Sequence, residues 1–571
     1  MNAKGRTSRS RSVFHPRTLE IFKGKVPWGG EMLSGVTVGL ITIPMVMAIG
    51  IASVPAGTET PMSPPALGLV ATILAGFLVA LLGGSRVLIA GPTAAFIPVV
   101  LFVIERHGYV GLLLATMMAG VILVMMGLMR MGALIKFIPA PVVSGFMTGF
   151  AIVIISTQLA DFLGISGVSP REISQKLFWI IQNISHANLV TVCFGVAAVA
   201  LIVFWPRLKI RHVPSSVVVV LGTTLVALLL GVGGDTMATI GSKFGGIPAG
   251  LPRPTLPPVE WGTVRDLLGS AIAIALLCSI ETLLSCVVAD GLSGDRHDSN
   301  TTLISLGIAN IVCPFFGGIP VAGAVARTST NISCGAKTPV SGMVHAVTIL
   351  VIMMIFARWA ALVPIVSMSA ILIVVAVHMG RWRELARLHR MPRSDAFVLL
   401  VTLGLCVVFD LVVAVQVGML FAAVLFVTRV ANTTEVSRVT AEDALESPEQ
   451  LATGKDIPDG VLVYRIFGPF LFGAAEKMKD ALAELDAWPH VLILRLHLVS
   501  AMDATALDAL ESVVEQMQAH GGTVILSGLH HQPLAMLRRA KFVKVIGREN
   551  LVAHFDDALK RAREIVQGKE N

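Results

Sequence analysis

Charged side chains are scarce in this sequence. Asp, Glu, Lys and Arg make up 14% of its 571 residues, while 54% are hydrophobic. A soluble globular domain carries about 25% charged residues, so this composition excludes an ordinary soluble protein of such length. Cysteine is also sparse. Cys193, Cys278, Cys286, Cys313, Cys334 and Cys406 all lie in the apolar part, and no two form a CxxC pair. That excludes a disulfide framework and a Cys-based zinc site, leaving cysteine as a small apolar residue in helix interfaces. There is no HExxH, no P-loop and no dinucleotide-binding glycine pattern. Nothing reads as an enzyme site, and no cofactor or metal is expected.

What is present is apolar length. Mean hydropathy is +0.79. Membrane-crossing helices need roughly 20 apolar residues each, and spans can be marked near residues 33–54, 67–83, 93–105, 109–129, 138–160, 188–205, 215–233, 266–289, 301–316, 321–333, 341–362, 364–380, 396–410 and 411–430. The expected fold is therefore a polytopic α-helical membrane protein of about 14 spans, with the lipid bilayer as its solvent. The net charge of +8 reflects membrane topology rather than nucleic acid. Lys4, Arg6, Arg9, Arg11, Arg17, Lys23 and Lys25 precede the first span. Under the positive-inside rule this places the N-terminus in the cytoplasm. No short apolar core with a small-residue cleavage site follows, so no signal peptide is expected. Arg86, Arg130, Lys136, Arg207, Lys209, Arg211 and the run Arg381, Arg383, Arg387, Arg390, Arg393 fall in loops after even-numbered spans. The first exterior loop, "AGTETPMSPPA", has neither Lys nor Arg. An even number of crossings returns the C-terminus to the cytoplasm.

The domain boundaries follow from shifts in composition. Residues 1–30 form a cytoplasmic N-terminal segment, 31–432 the transmembrane domain, 433–459 a polar, acidic linker and 460–571 a soluble domain. In the last, "VLVYRIFGPFLFG", "HVLILRLHLV" and "TVILSGL" read as strands. "TALDALESVVEQMQAH", "PLAMLRRAKF" and "DDALKRAREIV" read as helices. Strands alternating with helices mean a small α/β domain.

The third and tenth spans are short, and each follows a Gly/Pro break: "GGSRVLIAGPTAAF" and "GGIPVAGAVA". They occupy matching positions in two halves of about seven spans, the pattern that points to a transporter's midplane site. Non-helical backbone at membrane depth is tolerated where it is buried in protein or lines a wet cavity. A half-helix after each break would present unpaired N–H groups and a positive dipole end. Two of them facing each other would bind an anion. The candidates are Thr93, Ala94 and Ala95 after Pro92, and Gly323, Ala324 and Val325 after Pro320. Arg327, a turn further on, adds charge. The alternative is two kinked helices with Arg327 as a loop residue.

Glu281 lies near the middle of "LLGSAIAIALLCSIETLLSCVVAD". An ionisable residue deep in a span is costly and functional by default. Ser285, four residues on, shares its face. The carboxylate can carry a proton or ligate sodium, or it can be a structural group paired with a serine or a backbone group. Gln158 and Asp161 are expected near the exterior surface, and Asp290, Asp295 and Asp298 in a solvated cytoplasmic loop.

At these residues a resemblance enters. "GVTVGLITIPMVMAIGIAS", "LVALLGGSRVLIAGPTAAF", "SIETLLSCVVADGLSGDRHDSN" and "FFGGIPVAGAVARTSTNISCGAKTP" resemble the SulP anion permeases. "VSAMDATALDALESV" and "ILSGLHHQPLAMLRRA" resemble their STAS domain. The resemblance covers nearly the whole chain and extends to the bacterial branch of dicarboxylate, sulfate and bicarbonate transporters. It implies two inverted seven-span repeats in a uracil-permease-like arrangement of core and gate domains, an anion held between the third and tenth half-helices, an elevator motion, and a homodimer in a bacterial inner membrane. It also implies a role near the anion for Arg327, a proton or sodium site at Glu281, and a cytoplasmic protein partner for the STAS domain.

There are departures. Many members place Gln after the first-span proline, facing the anion, whereas here Pro44 is followed by Met45. Sodium-coupled bicarbonate relatives carry a hydroxyl where this chain has Val325, which favours protons. Soluble STAS proteins have a phosphorylated serine after the loop aspartate. Here Asp503 is followed by Ala504, with Thr505 beyond, and Asp503 is free to cap a helix. The expectation is proton-coupled symport of a small dicarboxylate or an oxyanion such as sulfate. The alternatives are a sodium-coupled bicarbonate transporter, an uncoupled anion channel or exchanger, a nucleobase permease of the same fold, and a signalling scaffold.

Overall fold

The computed structural model describes residues 14–19, 26–55, 57–132, 139–167, 170, 173–208, 214–234, 236–258, 261–408, 435–438, 457–471 and 487–570, with isolated pairs in between. It divides into two compact units, residues 1–422 and 423–571.

The first unit is helical. Its elements are α1 (Trp28–Ser53), α2 (Pro64–Leu82), β1 (Ala90–Gly91), α3 (Phe96–Leu128), α4 (Ala140–Leu163), α5 (Ile173–Gln182), α6 (Leu189–Phe204), α7 (Ser215–Leu229), α8 (Ile240–Phe244), α9 (Trp261–Ser293), α10 (Ser299–Val312), β2 (Ala322–Gly323), α11 (Val325–Ser333), α12 (Val340–Ala360), α13 (Ile365–Met379), α14 (Trp382–Ala386) and α15 (Arg393–Val408). Seven helices among the described residues are long and apolar enough to cross a membrane, and α6, α7 and α13 are shorter apolar helices. The expected span 411–430 lies largely outside the described residues. Leu225, Leu229, Phe356 and Trp359 stay exposed, as side chains solvated by lipid tails would. Expected spans three and four form the single helix α3, interrupted at Gly108 with φ 67° and ψ −179°. That positive φ suits glycine.

Small residues bring the helices together. A Cβ on Gly120 would lie 2.7 Å from the Gly307 carbonyl oxygen, and one on Gly307 2.6 Å from that of Gly120. This mutual contact lets α3 and α10 touch backbone to backbone, the usual device where lipid supplies no hydrophobic drive between helices. The order helix, helix, short strand, helix occurs twice, as α1–α2–β1–α3 and α9–α10–β2–α11. The two strands pair antiparallel, Ala90 with Gly323 and Gly91 with Ala322, the orientation an inverted duplication produces.

The second unit is a five-stranded sheet in the order β3 (Glu435–Arg438), β4 (Val461–Phe467), β5 (Val491–Leu498), β6 (Thr523–Ser527), β7 (Leu551–Val552). The pairs from β4 to β7 are parallel, and β3 is antiparallel on the edge. Helices α16 (Ala504–Ala519), α17 (His531–Arg539), α18 (Val543–Ile546) and α19 (Phe555–Glu570) complete it. The run "VLILRL" is buried throughout, as expected of a parallel strand covered on both faces. One correction concerns the linker. Residues 435–438, expected within it, are strand β3, because the exposed edge of β4 offers backbone partners that an irregular segment lacks. Residues 439–456 lie outside the described residues.

Candidate functional site

The two breaks meet at β1–β2, and each is tied by side chains from elsewhere in the unit. After Pro92 the chain turns through Thr93, Ala94 and Ala95 before α3 begins. The N–H groups of Phe96 and Ile97 close turns onto the carbonyls of Thr93 and Ala94, at 3.1 Å each. The N–H groups of Thr93, Ala94 and Ala95 have no acceptor among the described residues.

The second break differs. The Gly323 N–H donates to Thr282 Oγ1 at 2.8 Å, and the Ala324 N–H donates to the Ile89 carbonyl at 3.0 Å. The expectation that both are free is therefore corrected. The strand pairing and the adjacent α9 have already used them. Helix α11 starts at Val325, and its first intrahelical bond runs from the Thr328 N–H to the Ala324 carbonyl, 2.9 Å. The open donors are thus the N–H groups of Val325, Ala326 and Arg327. Val325 is partly exposed and Ala326 exposed, so solutes can approach the backbone there.

Arg327 is 2% exposed. Its Nη2 donates to the Pro92 carbonyl at 2.6 Å, joining the second break to the first. Its Nε and Nη1 are buried without an acceptor. A Cβ on Gly91 would stand 2.6 Å from Nη1, so that glycine makes room for the guanidinium. Glu281 Oε2 accepts from the Thr93 hydroxyl at 2.5 Å. Among the described residues, Glu281 and Arg327 form no direct ion pair.

Ser285, placed with Glu281 as a coupling residue on the same helix face, makes no hydrogen bond to that carboxylate. Its hydroxyl instead reaches the carbonyls of Glu281, 2.8 Å, and Gly323, 2.9 Å. A helical serine bonds readily to the carbonyl four residues back, and β2 supplies the second acceptor. Met45 is partly exposed on α1 and makes no hydrogen bond to this cluster. Asn310 fixes the entry to β2 by accepting from the Val321 N–H and donating to its carbonyl, both at 3.0 Å.

Four aspartates singled out in the sequence are committed to neighbouring groups. Asp161 pairs with Lys243 at 2.8 Å, and Asp295 with Arg86 at 3.3 Å. Asp298 caps α10 through the N–H groups of Asn300 and Thr301. Asp290 holds His297 by its backbone and ring. The "DGLSGDRHDSN" segment is thus folded on its own carboxylates rather than merely solvated. All six cysteines are free.

Two buried ionisable groups escaped sequence reasoning. Glu31, fully buried, accepts from the N–H groups of Lys337, Thr338 and Ser341, and so caps the entry to α12. His345, also fully buried, stands within α12. The rule that singled out Glu281, an ionisable residue inside an apolar span, applies to it equally.

Two chain breaks tied to each other inside a helical membrane domain, with a buried cation where they join, fit the pattern of a membrane transporter. The chain belongs to the sulfate permease family, whose description matches residues 29–402, and it carries a STAS domain over residues 454–558. It is 37% identical over 530 residues to the Bacillus subtilis protein named "Putative sulfate transporter YvdB", covering 92% of this chain and 96% of that one. It is 32% identical to the bicarbonate transporter BicA of a Picosynechococcus species, covering 93% and 94%. The murine anion transporter Slc26a9 superimposes with a TM-score of 0.83 over 98% of this chain and 97% of that chain, at 19% identity, a match of fold. The chain is a membrane transporter and not an enzyme. In the second unit, the expected cap is present. Asp503 Oδ1 accepts from the Ala506 N–H at 2.9 Å.

Proposed function

We propose that this protein is a secondary active transporter that carries a small oxyanion or dicarboxylate, sulfate- or fumarate-like, in symport with a proton. One observation carries this reading. Arg327 is buried with Nε and Nη1 lacking acceptors, beside two chain breaks whose N–H groups are also uncommitted. Buried donors are costly without partners, and an anion satisfies backbone and guanidinium donors together. The anion therefore sits against Thr93–Ala95 and Val325–Arg327, with Gly323 and Ala324 shaping the wall behind it. Glu281 takes up the proton and Thr93 reports its state to the first break. The two breaks then move with the bound anion as one body against the remaining helices, in an elevator motion. The setting is a bacterial inner membrane, with a homodimer, both termini in the cytoplasm, and the STAS domain open to a protein partner.

A second reading, bicarbonate transport, is favoured by the likeness to BicA. The Val325 side chain offers no oxygen to a sodium ion, which prefers oxygen ligands, so protons remain the coupling ion in this reading as well.

The test is uptake of labelled sulfate, fumarate and bicarbonate, each offered separately, into proteoliposomes with an inward proton gradient and with or without sodium. Concentrative, sodium-independent uptake of one of them is expected. The Glu281→Gln protein should lose gradient-driven accumulation and keep anion exchange. Undiminished proton-driven accumulation in that variant refutes the coupling role, and currents far above carrier turnover would make the protein a channel.

A further inference from the structure

His345 is a buried titratable group that the transport reading leaves idle, and its hydrogen bonding is half complete. Nε2 lies 3.2 Å from Thr42 Oγ1. The Thr42 hydroxyl gives its own proton to the Val38 carbonyl at 2.7 Å, so it can only accept from the ring. This assigns the Nε2–H tautomer to the neutral imidazole and leaves Nδ1 as a bare acceptor. Nδ1 is buried without a partner.

Helix α2 connects this acceptor to Arg327. Thr72 and Gly76 stand one turn apart on one face of that helix. At the Thr72 level, Gly91 brings β1 close. Its Cβ position lies 3.2 Å from Thr72 Oγ1 and 2.6 Å from Arg327 Nη1. At the Gly76 level, the absent Cβ would lie 3.2 Å from His345 Nδ1. Thr72 donates to the Gly68 carbonyl at 2.7 Å, and its oxygen keeps a lone pair. Along one helix face there is thus an unpaired donor, a hydroxyl with accepting capacity left, and an unpaired acceptor, with a glycine rather than a side chain facing the acceptor. A buried water needs two to four polar partners and about one probe sphere of room, and this seam supplies the partners.

We propose that His345 is a positioning residue for Arg327, acting through water held against Thr72 that links Nδ1 of the imidazole to Nη1 of the guanidinium. The relay fixes the guanidinium plane when no anion is bound. His345 itself does not touch the anion. The proposal takes from the transport reading only that Arg327 serves the anion.

The first test is an experimental structure of the full-length protein in lipid nanodiscs, at a resolution that shows ordered water in the helical core. Density is expected between Thr72, His345 Nδ1 and Arg327 Nη1. A map that shows other buried waters and none here overturns the proposal, whatever the protein transports. The second test is half-saturation for the anion that the wild-type protein takes up. His345→Asn keeps an acceptor near the Nδ1 position, His345→Gln keeps a donor near the Nε2 position, and His345→Leu keeps only volume. Gln and Leu should raise half-saturation roughly three- to tenfold, the range of one net hydrogen bond, with maximal rate retained, while Asn stays near wild type. Gly76→Ala, which leaves the histidine intact and places a methyl against Nδ1, should behave like Leu. If Gln retains affinity and Asn loses it, the Thr42 contact is what matters and the relay is wrong. Equal behaviour of all the variants also overturns it.

Discussion

The two chain breaks look alike in sequence and differ in how their backbone is used. In the first, the N–H groups of Thr93, Ala94 and Ala95 have no acceptor among the described residues, while the Pro92 carbonyl is held by Arg327. In the second, Gly323 and Ala324 have given their N–H groups to Thr282 and Ile89, and the open donors begin at Val325. Helix α9 serves both breaks from consecutive residues, Glu281 bonding Thr93 and Thr282 bonding Gly323. The difference teaches that a glycine-rich break is not a set of free donors by itself. Which donors stay free depends on the side chains that reach the break from neighbouring helices. The first break offers backbone, and the second offers the cation.

The comparison can be broken most severely at Gly323. A Cβ there would lie 2.8 Å from Leu88 Cδ1 and 3.1 Å from Thr282 Cα. The backbone neighbour cannot yield easily, so Gly323→Ala should abolish uptake and lower the yield of folded protein, read by size-exclusion recovery from detergent. Next is Arg327→Ala, which removes the cation and the tie to Pro92. Anion half-saturation should rise by at least about tenfold, equivalent to 1.4 kcal/mol, and an unchanged value would remove Arg327 from the site. Thr93→Val is smaller. It deletes one donor to a carboxylate, worth about 1.5–3 kcal/mol when the acceptor is charged, and should reduce gradient-driven accumulation more than exchange. Equal loss of both would mean that Thr93 serves folding rather than Glu281.

The smallest effect lies in the second unit and tests whether its polar cluster is independent of both breaks. Burial, then the charges of Arg495, Arg465 and His530, hold His497 below the ordinary histidine value. A base depressed in the folded state binds fewer protons than in the unfolded chain, so its contribution is intact above the unfolded pKa of about 6.5 and is lost as pH falls below it. The protection factors of the β5 amides in the full-length protein, with the intrinsic exchange rate at each pH divided out, should fall from pH 7 to pH 5.5. His497→Gln should flatten that dependence and leave uptake unchanged.

Much of this organisation was legible in the sequence. Gly/Pro punctuation marked both breaks, a lone carboxylate in an apolar span marked Glu281, and alternating strands and helices marked a small α/β domain after the membrane part. The pairing within the breaks was not legible, because Thr282 and Ile89 reveal themselves as partners only when α9 and β1 are placed against β2. Ser285 shares a helix face with Glu281, yet spacing cannot tell a side-chain partner from a backbone one. Strand β3 was hidden in polar sequence because an edge strand needs little hydrophobic alternation. Glu31 was overlooked because it stands at the edge of its span, and its role depends on N–H groups about 300 residues away.

The ladder of Ala90–Gly91 on Ala322–Gly323 bears on how such a protein can change over generations. Every position in it is small, and each half of the molecule presses directly on the other. A bulkier residue in one half would have to be answered by a change in the opposite half, so the two halves of a duplicated gene could not drift apart freely at these four positions. Val325 and Ala326, just beyond the ladder, are not so constrained, since one is partly exposed and the other exposed. The ladder itself is inherited as a matched pair or not at all.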